Sequence, residues 1–248
     1  MFDGHRSDDY SPYVWMTEDF GQSWKSLRSN LPEGSTRVLR EDGSNPDLLY
    51  LGTEFAAWVS LDRGGSWSKL NSNLPTVAIH ELAVHPTAGE LVAATHGRSL
   101  WILDVTPLRQ MTPEVSKARA HLFRSAPAVL WRQGLPRGTT YAGGSRRFVG
   151  QNPPPGAQVY YALAGKANKI NLKIVDFDGK TMQELPVKNE RGLHQVGWNL
   201  IRARLGRPPE PAMAGLYRVV LTVDGTEFTQ PLRVEEDPNV PPAQLSSD

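Results

Sequence analysis

The sequence predicts an all-β chain: incomplete β-propeller blades followed by an immunoglobulin/fibronectin-like β-sandwich. Three observations carry this expectation. The octapeptide Thr17-Glu18-Asp19-Phe20-Gly21-Gln22-Ser23-Trp24 recurs as Ser60-Leu61-Asp62-Arg63-Gly64-Gly65-Ser66-Trp67, 43 residues later, and a repeat of that length is the size of one four-stranded blade. Short strand-like runs are regularly spaced around the repeat. A Pro-, Gly- and Arg-rich stretch then separates this half from a second set of alternating apolar segments.

The repeat is longer than its loudest motif. Trp15 matches Trp58, Leu27 matches Leu70, and Ser29-Asn30-Leu31-Pro32 matches Ser72-Asn73-Leu74-Pro75 at the same offset. Residues 36–40, 48–52, 55–60 and 66–70 read as four strands of one complete unit, separated by turn-forming residues. Residues 13–17 and 23–27 supply the last two strands of an earlier unit. Residues 79–84, 91–95 and 100–104 begin a third, in which Asp104 follows Asp62 by 42 residues but the Gly and Trp of the motif are missing. Residues 1–110 are therefore expected to form about half a blade, one whole blade and most of a third. A propeller closes with at least about four blades, and closure is what protects its strand edges. The chain is expected to be the C-terminal piece of a longer protein, or to have its open faces covered by other copies or another polypeptide.

Residues 111–156, ending in Asn152-Pro153-Pro154-Pro155-Gly156, read as a stiff linker. Within it Arg132, Arg137, Arg146 and Arg147 form a loose basic connector. Residues 157–238 read as the sandwich, with strands at 158–163, 170–175, 193–200, 216–223 and 227–234, and 239–248 as a flexible tail. Asp176-Phe177-Asp178-Gly179 and Asp224-Gly225 are hairpin turn signals. Tyr217, Val219, Leu221 and Val223 alternate with polar neighbours and should face a core.

Bulk properties exclude several classes. With 248 residues, 39% hydrophobic and 21% charged, the composition is that of a soluble globular protein of two domains. A net charge of +1 gives no general attraction to nucleic acid or anionic lipid. No apolar run is long enough to span a bilayer. Met1-Phe2-Asp3-Gly4-His5 carries no secretory signal, so any export signal is expected outside this chain. The absence of cysteine removes disulfides, thiolate metal sites and thiol nucleophiles. No metal and no cofactor is expected: there is no His-Glu-x-x-His, and Asp176-x-Asp178-Gly179 has Lys180 and Val187 where a calcium loop needs ligands.

The pattern Ser/Thr-x-Asp-x-Gly-x-Ser/Thr-Trp resembles the Asp box of bacterial-neuraminidase-type repeats, found in sialidase, xyloglucanase and sortilin-like propellers. With Phe2-Asp3-Gly4-His5-Arg6, Gly52-Thr53-Glu54-Phe55, Thr95-His96-Gly97-Arg98 and the run from Gly215 to Gly225, the whole chain resembles the C-terminal quarter of large bacterial sortilin-like, neuraminidase-repeat proteins, often labelled glycosyl hydrolases. The resemblance implies an extracytoplasmic protein, periplasmic or secreted. Because the blades here form only part of a ring, the chain is expected to act as a binding or assembly module of such a protein rather than a self-sufficient catalyst. The alternative is the C-terminal part of a sialidase- or xyloglucanase-like glycoside hydrolase completed by missing blades. Expected partners are the remaining blades, other copies or another protein, with carbohydrate or peptide as ligand.

The residues of the two boxes have structural work to do. Asp19 and Asp62 should accept N–H groups inside their turns, Gly21 and Gly64 supply positive φ, Ser23 and Ser66 complete the turn, and Trp24 and Trp67 pack into the sheet. The interacting residues are expected at the opposite end, in the loops between second and third strands. There His5, Arg6, Asp8 and Asp9 precede a third strand, while Glu54 and His96, with Arg98, occupy matching loops of successive repeats. Glycoside hydrolysis needs two carboxylates about 5 to 10 Å apart, one with a raised pKa. Asp8 or Asp9 with Glu54 is the pair the sequence offers. His80, His85, His121 and His194 stand apart from any nucleophile or carboxylate motif and read as strand or turn residues.

Overall fold

In the computed structural model, residues 1–70, 73–131, 154–202 and 210–239 are described. They fall into two compact units, Met1–Glu114 and Val115–Asp248. The protein is all-β, as its residue patterning predicts. Its helices are single turns.

The first unit is a row of antiparallel sheets in chain order. β1 (Phe2–Gly4) pairs with β2 (Asp9–Tyr13), and β3 (Trp15–Met16) with β4 (Lys25–Ser26). The complete repeat is a four-stranded meander of β5 (Thr36–Glu41), β6 (Leu49–Thr53), β7 (Ala57–Ser60) and β8 (Ser68–Leu70), in the order β5-β6-β7-β8. A third sheet contains β9 (Ile79–Val84), β10 (Glu90–Thr95) and β11 (Leu100–Asp104). Among the described residues that sheet has no fourth strand: Val105 leads into a one-turn helix, α1 (Thr106–Arg109), with Pro107 in its first turn.

Successive repeats pack face to face through the apolar side of each strand. One cluster joins Val38, Tyr50 and Val59 of the complete sheet to Ile79, Leu82 and Leu91 of the next. A second joins Val14, Leu27 and Leu31 of the earlier repeat to Leu49, Leu51 and Trp67. The approach is close enough to require glycine at 52, where an added Cβ would lie 2.6 Å from Val38 Cγ1 and 2.8 Å from the Ile79 carbonyl oxygen.

The second unit is a two-sheet sandwich. Its strands are β12 (Ala120–Leu122), β13 (Ala128–Leu130), β14 (Ala157–Leu163), β15 (Ile170–Val175), β16 (Thr181–Leu185), β17 (Gly192–Trp198), β18 (Ile201–Arg202), β19 (Glu210–Pro211), β20 (Gly215–Val223) and β21 (Thr226–Glu236). One sheet is ordered β12-β14-β17, the other β13-β21-β20-β15-β16, and β18 pairs with β19. The core between them contains Tyr161, Leu172, Ile174, Trp198, Tyr217, Val219, Leu221 and Val223, so the alternation in β20 does face inward. Asp176–Gly179 turns β15 into β16, with Asp176 accepting the Lys180 N–H at 2.8 Å. Asp224 and Gly225, at φ 47° and 88°, form the tight β20–β21 turn.

The structure redraws one boundary. Part of the segment 111–156 that the composition assigns to a linker belongs to the sandwich, because β12 pairs with β14 and β13 runs parallel to β21. Each of these strands is three residues long. Such strands carry too little alternation to stand out beside Pro and Arg neighbours. The four linker arginines and nearly all of the 239–248 tail lie outside the described residues.

Candidate functional site

The two aspartate turns are built alike. At the first, Ser23 donates to Asp19 through its N–H (2.9 Å to Oδ1) and hydroxyl (2.6 Å to Oδ2), Thr17 Oγ1 donates at 2.9 Å, and Gly21 N–H returns to Thr17 Oγ1 at 2.8 Å. At the second, Ser66 donates to Asp62 through N–H (2.8 Å) and hydroxyl (2.7 Å), Ser60 through its hydroxyl (2.7 Å), and Gly64 N–H returns to Ser60 Oγ at 2.7 Å. Gly21 and Gly64 sit at φ 90° and 86°, and each is preceded by a positive-φ residue, Phe20 or Arg63. Hydrogen bonds from Ser23 and then Thr17 hold the Asp19 carboxyl at about 2. Burial opposes ionisation of Asp62, yet Ser66 and Ser60 outweigh it and lower its pKa. Each carboxylate accepts three hydrogen bonds inside its own turn.

The other end of the sheets carries a connected set of charged residues. His5 lies in a 3-10 turn, His5–Ser7, where its ring Nδ1 contacts Asp3 Oδ2 at 2.7 Å and its N–H donates to Asp3 Oδ1 at 3.1 Å. Arg37 bridges onward, with Nη1 3.4 Å from Asp3 Oδ2, Nε 2.9 Å from Glu54 Oε2 and Nη2 also on that oxygen. His5, Asp3, Arg37 and Glu54 are thus one hydrogen-bonded chain linking two repeats. Burial works against ionised Asp3, but the His5 bonds prevail and hold its carboxyl at about 2.

In the next repeat His96 Nδ1 lies 3.1 Å from His80 Nε2. Arg37 and His80 are 43 residues apart, so the two pairs are equivalent. The backbone repeats too: Glu54 N–H donates to the Ser35 carbonyl, and His96 N–H to the Ala78 carbonyl, both at 2.9 Å. The structure therefore places Glu54 and His96 in matching loops, as their alignment predicts, and adds Asp3, Arg37 and His80. Asp3 is visible only through contact, but Arg37 and His80 share the repeat offset and are readable from it.

The remaining candidates are not joined to this network. Asp9 turns toward Tyr13, accepting its hydroxyl at 2.6 Å and the Ser11 N–H at 3.0 Å, and the Tyr13 bond is the main reason its pKa falls. A lowered pKa is the opposite of what a general acid needs. Asp8 takes a left-handed conformation at φ 58°. Arg6, Asp8 and Arg98 are exposed, with no side-chain hydrogen bond among the described residues, although the Arg98 carbonyl accepts Trp101 Nε1 at 2.9 Å. His85 is a turn residue, accepting the Ala88 N–H at 2.9 Å. Among the described residues there is no group of three metal-ligating side chains and no helix long and apolar enough to cross a membrane.

A buried ion pair escapes sequence inspection altogether. Asp42, with no side-chain exposure, accepts Arg109 Nε at 2.8 and 3.0 Å and the Tyr50 hydroxyl at 3.3 Å. Burial, and then the Asp42 charge, push the Tyr50 hydroxyl pKa far up.

No known family model matches this chain, and no curated protein matches it. Among solved structures it is similar to CopC from Methylosinus trichosporium OB3b, at 19% identity over 34% of this chain and 79% of that one, with a TM-score of 0.24. Two structures of the BT4673 extracellular domain from B. thetaiotaomicron cover 91% and 90% of this chain. They match over 29% and 31% of their own length, at 10% and 9% identity and TM-scores of 0.32 and 0.30.

Proposed function

We propose that this chain is a binding and assembly module of an extracytoplasmic, sortilin-like Asp-box propeller protein, which contacts its ligand through the loop end carrying Glu54 and His96. The observation that carries the reading is the equivalence of the Arg37–Glu54 and His80–His96 pairs, which set an ion pair and a hydrogen-bonded imidazole pair at matching positions of successive repeats. Such a surface offers donors, acceptors and fixed charge for a carbohydrate or peptide. Hydrolysis is the weaker reading. Glu54 is engaged by Arg37, Asp9 by Tyr13, and Asp19 and Asp62 by their turns.

The test is a panel of oligosaccharides and peptides screened against wild type and the Glu54→Gln/His96→Ala double variant. The expected result is at least about a tenfold loss of affinity for whatever binds, with an unchanged melting transition. Unaltered binding would move the site elsewhere, and loss of folding would make both pairs structural. Turnover of a glycoside that disappears in Glu54→Gln would establish the hydrolase instead.

A further inference from the structure

We infer that His80 and His96 chelate a borderline divalent cation of the zinc type, His80 through Nε2 and His96 through Nδ1. Metal binding at this pair needs no carbohydrate or peptide, and so goes beyond the ligand reading above.

The two nitrogens already stand 3.1 Å apart. Two nitrogens held by one tetrahedral zinc at about 2.0–2.1 Å each lie about 3.3–3.4 Å from one another, so a metal enters between the rings with a few tenths of an ångström of movement. The ring planes are tilted by 54°, with centroids 4.9 Å apart, so no parallel stack has to be broken. Both side chains are exposed, and water can complete the coordination.

The backbone presets this meeting. His80 lies on β9 and His96 directly follows β10, where Thr95 is in register with Ile79. The His96 N–H donates to the Ala78 carbonyl at 2.9 Å, and Thr95 Oγ1 donates to the Ser99 carbonyl at 2.6 Å, closing a loop in which Gly97 and Ser99 both take φ 72°. In the preceding repeat the matching Glu54–Ser35 bond brings Arg37 and Glu54 together. Different side chains thus meet at the same two positions, so the proximity belongs to the strands and outlasts the hydrogen bond between the rings. A chelate that is already positioned loses little freedom when it binds.

The proton bookkeeping closes. In the neutral pair one ring donates its N–H to the other; on binding, that hydrogen moves through solvent to the outer nitrogen of the same ring, leaving His80 protonated at Nδ1 and His96 at Nε2, with no net release. Paired imidazoles suit zinc and copper, whereas magnesium and calcium require oxygen ligands. The neighbouring Glu81 supplies none, since Arg40 and the Leu82 N–H engage its carboxylate. No local motif announces the site, because its two ligands are 16 residues apart and joined only by strand register.

The test is zinc titration of the untagged full chain at neutral pH by calorimetry, together with nitrogen-15 spectra of the histidine rings. Zinc should bind, magnesium and calcium should not, and saturation should lock His80 as the Nδ1–H tautomer and His96 as the Nε2–H tautomer. His80→Gln and His96→Gln change exposed residues and should keep the wild-type melting transition while each weakening zinc binding at least about tenfold. His85→Gln should leave it unchanged. Wild type that takes up no zinc at millimolar concentration overturns the inference, as do an affinity retained in both single variants, an equal response to magnesium, or ring tautomers that do not change at saturation. The ligand screen on Glu54 and His96 is run with a chelator present, so its failure and the failure of the metal site are read separately.

Discussion

Arg109 closes on Asp42 across 67 residues of chain, its Nε 2.8 Å from Oδ2, and thereby ties the helix after the third sheet to the β5–β6 turn of the second. The carboxylate has no solvent exposure and the guanidinium little. Losing one member of a buried pair leaves the other charged and unpaired, which costs far more than the pair itself contributes.

Arg109→Met should therefore lower unfolding stability by about 3 to 5 kcal/mol. Arg28→Ala, which breaks the exposed pair with Glu33, should cost less than about 1 kcal/mol. Urea denaturation midpoints of the two variants decide it, and equal losses would mean that Asp42 finds another partner.

The two aspartate turns should differ in worth although their hydrogen bonds match. Asp62→Ala removes the turn that delivers Trp67 into a core, and a loss of about 1 to 3 kcal/mol is expected. Asp19→Ala loosens a turn whose Trp24 is 57% exposed, so its cost should be the smaller. Thermal melts of both variants measure the difference. A variant with intact stability but abolished ligand binding would move Asp62 from structure to function.

Acid should destabilise the first unit in a defined window. Asp3 and Asp19 titrate at about 2 in the folded chain, against 3.8 without these contacts. A carboxyl whose folded pKa is depressed binds its proton more readily when unfolded, so its contribution is complete above about pH 4 and lost as pH falls toward 2. The melting temperature should drop through that interval, and Asp19→Asn should flatten the drop. A wild-type curve that does not move between pH 4 and 2 would show that these bonds do not survive in solution.

How much of this was legible follows from the length of each signal. The 43-residue repeat fixes equivalences between distant positions. The four-stranded meander, both turns and the matched loops of Glu54 and His96 could therefore be placed by alignment alone. Long alternating strands such as β20 announce their inner face. Three-residue strands do not, and β12 and β13 take their identity from the strands they pair with. Single long-range contacts are also silent: nothing local to Asp42 points to Arg109, and Asp9 resembles a free carboxylate until its bond to Tyr13 is seen.

The sandwich gives the last prediction, and its boundary is the point at issue. A fragment starting at residue 154 retains the five long strands that alternation identifies, but discards β12 and β13. Leu122, Ala120 and Ala128 lie within the core at 2%, 5% and 3% exposure. Their removal also bares β14 and β21 as new sheet edges. Burial of one Leu side chain alone contributes about 1.5 to 3 kcal/mol, so the shorter fragment should lose at least about 3 kcal/mol in all. A fragment of residues 115–239 should melt in one cooperative transition, whereas 154–239 should melt lower and more broadly and bind a hydrophobic dye. Identical melts for the two would place β12 and β13 outside the cooperative unit and return residues 115–131 to the linker.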